Sequence, residues 1–574
     1  LMLAFWLRNV MAWWFKLLTA VCLAAVASNA FGQPAQALFY DDFEKGRSVW
    51  FVLGNGKVGI AKGDAHSGQM ALSFSYAKGI AVAVMPTAPL PRARSISFWV
   101  KPSSTTVLLL ALQENDGSRY AAAFCIIGGK WQLVQLSVDD FMLMPDTQDE
   151  NGKLDMDQVS MIGLADAITL FQPGGVAQER TILVDDFLVS TSEVVARFRS
   201  IEVGDAKLQL VDDFEGTTLF WAPVAFSPGK FELNLSADMT VELGAGTARH
   251  GNGALSIHYE LKPNTMPAFM TLLTRGIADA KSFVMSVKAT EPTGLVVALV
   301  ENDGSRYQTF VYVAPGEWND IAISIDDFQL AEDAKDENER LDLNQVQFIA
   351  LIDAGGLFAD FITRLHGKRQ LWVDRIAFSS AELPMTQGVA QDKDGIIIWL
   401  DNFESDVLRW VPLEVTIQPG FNLDIAMRAM VKREEHFPDE AQGRYHLRID
   451  YDVPANGVIG IAHFVTLSGG ALLKHVSALR MWIKSKEAAS LLIVLQERGG
   501  GRYQRQIDLQ GGKWQRFDLP LSDFIPSPDA RDDNDKLDPD QLLAIALVDM
   551  SAIAGGPTQN TILIDGVCFL TPLK

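Results

Sequence analysis

The sequence predicts an all-β protein of three tandem antiparallel β-sandwich (jelly-roll) domains that follow a signal peptide. Three observations carry this. Apolar residues alternate with a period of two in short runs such as "SISFWVK", "LLLALQE" and "TILVDDFLV", bounded by Gly, Pro, Asn and Asp. Such runs mark half-buried strands closed by turns. Long amphipathic helical patterns are absent. One set of motifs passes three times along the 574 residues, and each round is long enough for its own core.

The first element is a secretory signal peptide, residues 1–30. Met11, the expected start, opens "MAWWFK"; the apolar run Leu17–Val26 follows, and "ASNA" offers small residues for cleavage after Ala30. A cut after Ala37 in "PAQA" is the alternative, and Val21 before Cys22 fits a lipoprotein signal poorly. The run is too short to span a bilayer, and no later stretch is apolar enough to do so. The mature chain is therefore expected to be secreted, periplasmic or at the cell surface. It keeps Cys125 and Cys568, in different rounds, expected as buried free thiols.

Each round opens on an acidic-aromatic strand: "YDDFE" at Tyr40, "VDDFE" at Val211, "LDNFE" at Leu400. Trp50, Trp221 and Trp410 follow at one offset. Next come the heptads "ENDGSRY" at Glu114 and Glu301 and "ERGGGRY" at Glu497, 187 and 196 residues apart. A Gly turn then leads to Trp131, Trp318 and Trp514. All six tryptophans read as core or strand-edge packing. "VDDF", "IDDF" and "LSDF", an acidic loop, and a closing "ILVDDF", "LWVDRI" or "ILIDGV" complete each round. The modules span 38–192, 207–380 and 395–574, joined by "SEVVARFRSIEVGDA" and "AELPMTQGVAQDKDG".

The heptad reads as a hairpin. Asp116–Gly117 and Asp303–Gly304 suit a two-residue turn, and Gly499–Gly500 keep that capacity. In this register Glu114 faces Arg119, Glu301 faces Arg306 and Glu497 faces Arg502, as ion pairs that fix pairing. Leu108, Leu110 and Leu112, with their equivalents, face the core. Tyr120, Tyr307 and Tyr503 then fall on the opposite, shallower face, where an aromatic ring could stack on a pyranose. The third round resists this register, because Arg502, Gln504, Gln506 and Asp508 would share the core face, and unpaired polar groups do not belong there. A bulge or another loop length removes the conflict. Otherwise the row is a ligand face, with Arg502 and Asp508 as hydrogen-bonding groups.

The order "DDFE…W", "SISFWVK", "ENDGSRY", "GGKW", "LD..QV", "ILVDDF" resembles the galactose-binding-like jelly rolls, above all carbohydrate-binding module family 11 and the complex I intermediate-associated protein 30 family. The resemblance covers the whole mature chain, three times over. It implies sandwiches that often bind a glycan on one sheet face. It also implies structural calcium where opening and closing strands adjoin: Asp41 or Glu44 with Asp185, Asp212 or Glu215 with Asp374, and Asp401 or Glu404 with Asp565.

The acidic loops offer another calcium reading, through Asp149, Asn151 and Asp155, through Asp336, Asn338 and Asp342, or through Asp532, Asn534 and Asp538; solvated, self-capped turns are the simpler one. No zinc spacing, GxSxG or phosphate loop occurs, so no catalytic residue is expected and no cofactor is required. A net charge of −22 disfavours nucleic acid and anionic membranes and suits neutral glycans. These readings converge on a secreted, non-catalytic carbohydrate-binding protein. The alternative is an envelope structural or assembly protein that uses its sandwiches for protein contacts. A carbohydrate-active enzyme ranks lowest.

Overall fold

Period-two alternation becomes antiparallel strands in the computed structural model. The structure describes residues 36–572 apart from 145, 169–178, 228–229, 236–238, 246–247, 274–275, 358–365, 393–394, 419–421, 427–429, 436–442, 466–469, 529 and 533; the expected signal peptide lies outside the described residues. Among the described residues, no helix is long and apolar enough to cross a membrane.

The strands form three sandwiches, over 37–190, 199–379 and 388–572. In the second, one sheet places the closing strand Gly367–Ser379 between Ala206–Asp212 and Gly253–Leu261 on one edge and Ser282–Ala289 on the other. The other sheet runs Lys230–Leu235, Ala222–Ser227, Met266–Leu272, Val346–Asp353, Thr293–Glu301, Arg306–Val313, Gln329–Leu330. The third sandwich has the same order, with Gln559–Pro572 as its closing strand. In the first, the long strand Met70–Pro86 pairs with Arg180–Ser190 near its start and with Val159–Asp166 near its end, which links both layers into one sheet. Two segments within the sequence linkers, Arg199–Val203 and Gly388–Asp392, are themselves strands, each in a hairpin with the strand that follows.

Cores sit between the layers. Leu108, Leu110 and Leu112 are fully buried, as are Leu295, Val297, Leu299, Ile493 and Leu495, the inward set that alternation predicts. Each such side chain contributes roughly 1.5–3 kcal/mol. Trp50, Trp221 and Trp410 are core residues. Cys125 and Cys568 are buried and form no disulfide.

A repeated clasp joins the sandwiches. Asp140, from "VDDF", accepts the Ser137 amide within its own turn and the Arg197 amide of the next sandwich's approach, both at 2.8 Å. Asp327, from "IDDF", accepts the Thr386 amide and hydroxyl at 2.7 Å and the Arg409 guanidinium at 2.9 Å, with both members of the ion pair fully buried. The neighbouring strand docks the same way at both junctions: Cys125 N donates to Leu219 O at 2.7 Å, and Tyr312 N to Leu408 O at 2.6 Å. Phe310 meets Phe464 edge-on at 5.6 Å across the second junction. Asp523, from "LSDF", is exposed and pairs only locally, with Arg505.

Candidate functional site

The heptad closes through three residues, not two. Glu114 N donates to Ser118 O, and Gly117 N to Glu114 O, so Asn115, Asp116 and Gly117 form the loop, with Gly117 at φ +94°. Gln113 then faces Arg119, and Leu112 faces Tyr120. The other hairpins match, with Leu299 facing Tyr307 and Leu495 facing Tyr503. A one-residue slip moves every side chain of a strand to the other face.

The expected sugar platform is therefore corrected. Tyr120, Tyr307 and Tyr503 are only 2%, 3% and 2% exposed and sit in the cores. Tyr120 donates its hydroxyl to Asp149 at 2.7 Å and Tyr307 to Asp336 at 2.5 Å; Tyr503 does the same to Asp532. The expected Glu–Arg pairs are corrected for the same reason. Glu114 accepts the Ser118 hydroxyl at 2.8 Å and the Asp155 amide at 2.5 Å, whereas Arg119 pairs with Asp146. Glu301 accepts the Asp342 amide and Glu497 the Asp538 amide, both at 2.5 Å. Burial pushes the Glu301 carboxyl up to about 7 against that amide bond. Heptad and acidic loop are thus one unit, tied by a buried glutamate and a tyrosine.

The same slip resolves the polar row. Arg502, Gln504, Gln506 and Asp508 face outward, opposite Gln496, Val494, Leu492 and Ser490. Arg502 Nε donates to Gln496 Oε1 at 3.0 Å. Ser490 Oγ donates to Asp508 Oδ1 at 2.9 Å and accepts from Gln506 Nε2 at 2.7 Å. Gln506 and Asp508 are exposed; Arg502, Gln504, Leu492 and Val494 are half-buried. The result is a flat aliphatic floor beside a bank of donors and acceptors held by one another. At the equivalent positions Phe310 and Tyr312 are buried at the junction with the third sandwich and Cys125 at the junction with the second, and Ala123 is buried as well.

The proposed calcium ligands converge on one loop in each of the first two sandwiches. Glu44 accepts the Gln69 and Met70 amides, while Asp185 accepts those of His66 and Ser67. Glu215 and Asp374 treat Asn252, Gly253, Arg249 and His250 alike. Glu404 accepts the Arg444 and Tyr445 amides, and Asp565 is buried. Asp41, Asp212 and Asp401 each bond the amide two residues on, which holds Phe43, Phe214 and Phe403 at φ between +56° and +59°. A bulge in each closing strand, at Asp186, Arg375 and Gly566 with positive φ, accompanies the burial of Asp185, Asp374 and Asp565. The carboxylates that gather within 4.8 Å of one another lie elsewhere among the described residues: Glu114, Asp116 and Asp149, and Glu301, Asp303 and Asp336.

Trp131, read from sequence as packing, is half-buried and lines a cleft between the first two sandwiches. No local signal reveals this, because the opposite wall comes from residues between Phe214 and Gly253, far along the chain.

No family model matches the chain, and a search of curated proteins finds no match. Among solved structures, it is similar to the family 11 carbohydrate-binding module from Clostridium thermocellum in complex with a β-1,3-1,4-mixed-linked tetrasaccharide. That match has 18% identity, 30% of this chain, 95% of that one and a TM-score of 0.24. It is also similar to the tandem of two family 22 modules from a Paenibacillus barcinonensis protein, at 14% identity over 61% of this chain and 100% of that one, with a TM-score of 0.20. An exo-β-agarase matches at 14% identity over 28% of this chain and 25% of its own, with a TM-score of 0.22.

Proposed function

We propose that this chain is a non-catalytic carbohydrate-binding protein of three tandem copies of one module, acting outside the cytoplasm. The outward polar row of the third sandwich carries the reading. Arg502, Gln504, Gln506 and Asp508 present amide, guanidinium and carboxylate groups beside the floor of Leu492 and Val494. Sugar hydroxyls both donate and accept hydrogen bonds, and such a mixed bank meets both needs. The repeated clasp and the shared motif order support three copies.

We also propose structural calcium at the strand junctions. Hard oxygen donors from the opening and closing strands, Glu44 with Asp185 and Glu215 with Asp374, already hold one loop between them. These residues would hold the ion, whose role would be to pin that loop. A rise in melting temperature on adding calcium, reversed by chelator, is the expected outcome; no change in either direction counts against it.

A second reading, envelope assembly, draws on the first sandwich. Its outward Leu109, Ala111 and Ala121 are half-buried and apolar, and Phe51, across two strands of the same layer, is exposed. Affinity gels with mixed-linkage β-glucan, xylan and agarose separate the two. Retardation lost in Arg502→Ala and Asp508→Ala, and kept in Tyr503→Phe, supports glycan binding. No retardation, with a stable protein complex recovered, supports assembly.

A further inference from the structure

A cleft of about 540 Å³ opens between the first and second sandwiches. Trp99, on the strand Ser95–Pro102, and Trp131, before the strand Gln132–Ser137, line its first wall. His66 stacks on Trp99 with centroids 3.6 Å apart and meets Trp131 edge-on at 6.2 Å. His66 is itself fixed: Asp185 accepts its amide at 2.8 Å, and Asp186 lies 3.0 Å from its Nδ1. The two indoles are therefore held in place before any ligand arrives, which lowers the ordering cost of binding. Glu242 and Asn252 line the other wall. Lys130, on the Trp131 side, reaches to within 3.9 Å of Glu242, and both side chains are more than half exposed. A pair this exposed adds little stability, so both groups stay open to a ligand.

We propose that this cleft is a second saccharide-binding site, separate from the polar sheet face, for a short neutral oligosaccharide. The Trp131 indole suits the C–H face of a pyranose ring, beside Trp99, one face of which His66 covers, and the flanking acid, amine and amide suit sugar hydroxyls. Lys130 offsets Glu242, and Glu215, also in the lining, already accepts the Asn252 and Gly253 amides. A cavity of this size at a domain junction is a typical place for a small ligand.

Calorimetry and tryptophan emission on the mature chain, with cellohexaose, laminarihexaose and xylohexaose as probes, test it. At least one probe binds and shifts the emission. Trp131→Ala weakens that binding about tenfold or more. Glu242→Ala, at an exposed site that leaves folding intact, weakens it less. Arg502→Ala and Asp508→Ala leave it unchanged. The cleft is overturned if no probe binds up to about 10 mM, or if both cleft variants bind like the parent. Binding lost only in the polar-face variants overturns the cleft and leaves the sheet face standing; binding lost only in the cleft variants upholds the cleft, and the sheet face stands or falls on the affinity gels.

Discussion

Tyr120, Tyr307 and Tyr503 show how one hydroxyl sorts structure from recognition. Each ring fills a core while its hydroxyl reaches an acidic-loop aspartate. Replacing any one with Phe is expected to cost about 1–3 kcal/mol in denaturant unfolding while glycan retention stays unchanged. A two-residue loop puts these tyrosines on the outer face, where an aromatic ring looks like a sugar platform; their true partners lie 29 residues on, beyond any local pattern. Buried acids add a pH signature. Burial pushes Asp401 up to about 7 from 3.8, against the opposing pull of Arg409 and the Phe403 amide. The fold therefore favours its protonated form. Its contribution is complete below 3.8 and is lost as pH rises through about 7. The melting temperature of Asp401→Asn relative to the parent should rise between about pH 4 and about pH 7; a constant difference would refute the assignment.

At the scale of the element, loop length in one hairpin decides which face is which. Strand positions and the inward leucines were legible, because alternation and turn residues mark them locally. Register was not, since Asn-Asp-Gly satisfies a two-residue and a three-residue loop equally well. The warning was in the third copy, where Arg502 and Asp508 could not share a core with Leu495. Two glycines test the loop. Gly117 has φ +94°, which an L-residue reaches only with strain. Gly117→Ala should cost about 1 kcal/mol. Gly499 is not among the positive-φ glycines, and a Cβ there meets nothing within 4 Å. Gly499→Ala should be neutral or slightly stabilising, by a few tenths up to about 1 kcal/mol. Equal losses at both sites in thermal melts would return the hairpin to a two-residue turn.

Across the whole molecule, the recurring Asp of "DDF" works at a junction the sequence kept hidden. Three domains could be counted from motif order, but Asp327 and Arg409 meet only once two sandwiches dock. Arg409→Ala strands a buried carboxylate and should cost about 3–5 kcal/mol. Calorimetry should then show a separate transition for the third sandwich, and proteolysis should gain cuts near Ser380–Gln387. Asp523→Asn, at an exposed site, should do neither. The same docking explains why outward faces differ: Phe310 and Tyr312 serve a junction, whereas Gln506 and Asp508 stay open. That open face is the central claim, and affinity-gel electrophoresis of the mature chain on neutral polysaccharides tests it most directly. The account predicts retardation that disappears in the Arg502→Ala, Asp508→Ala double variant and survives in Tyr503→Phe. Retardation that survives the double variant, or is absent from the parent, would contradict it.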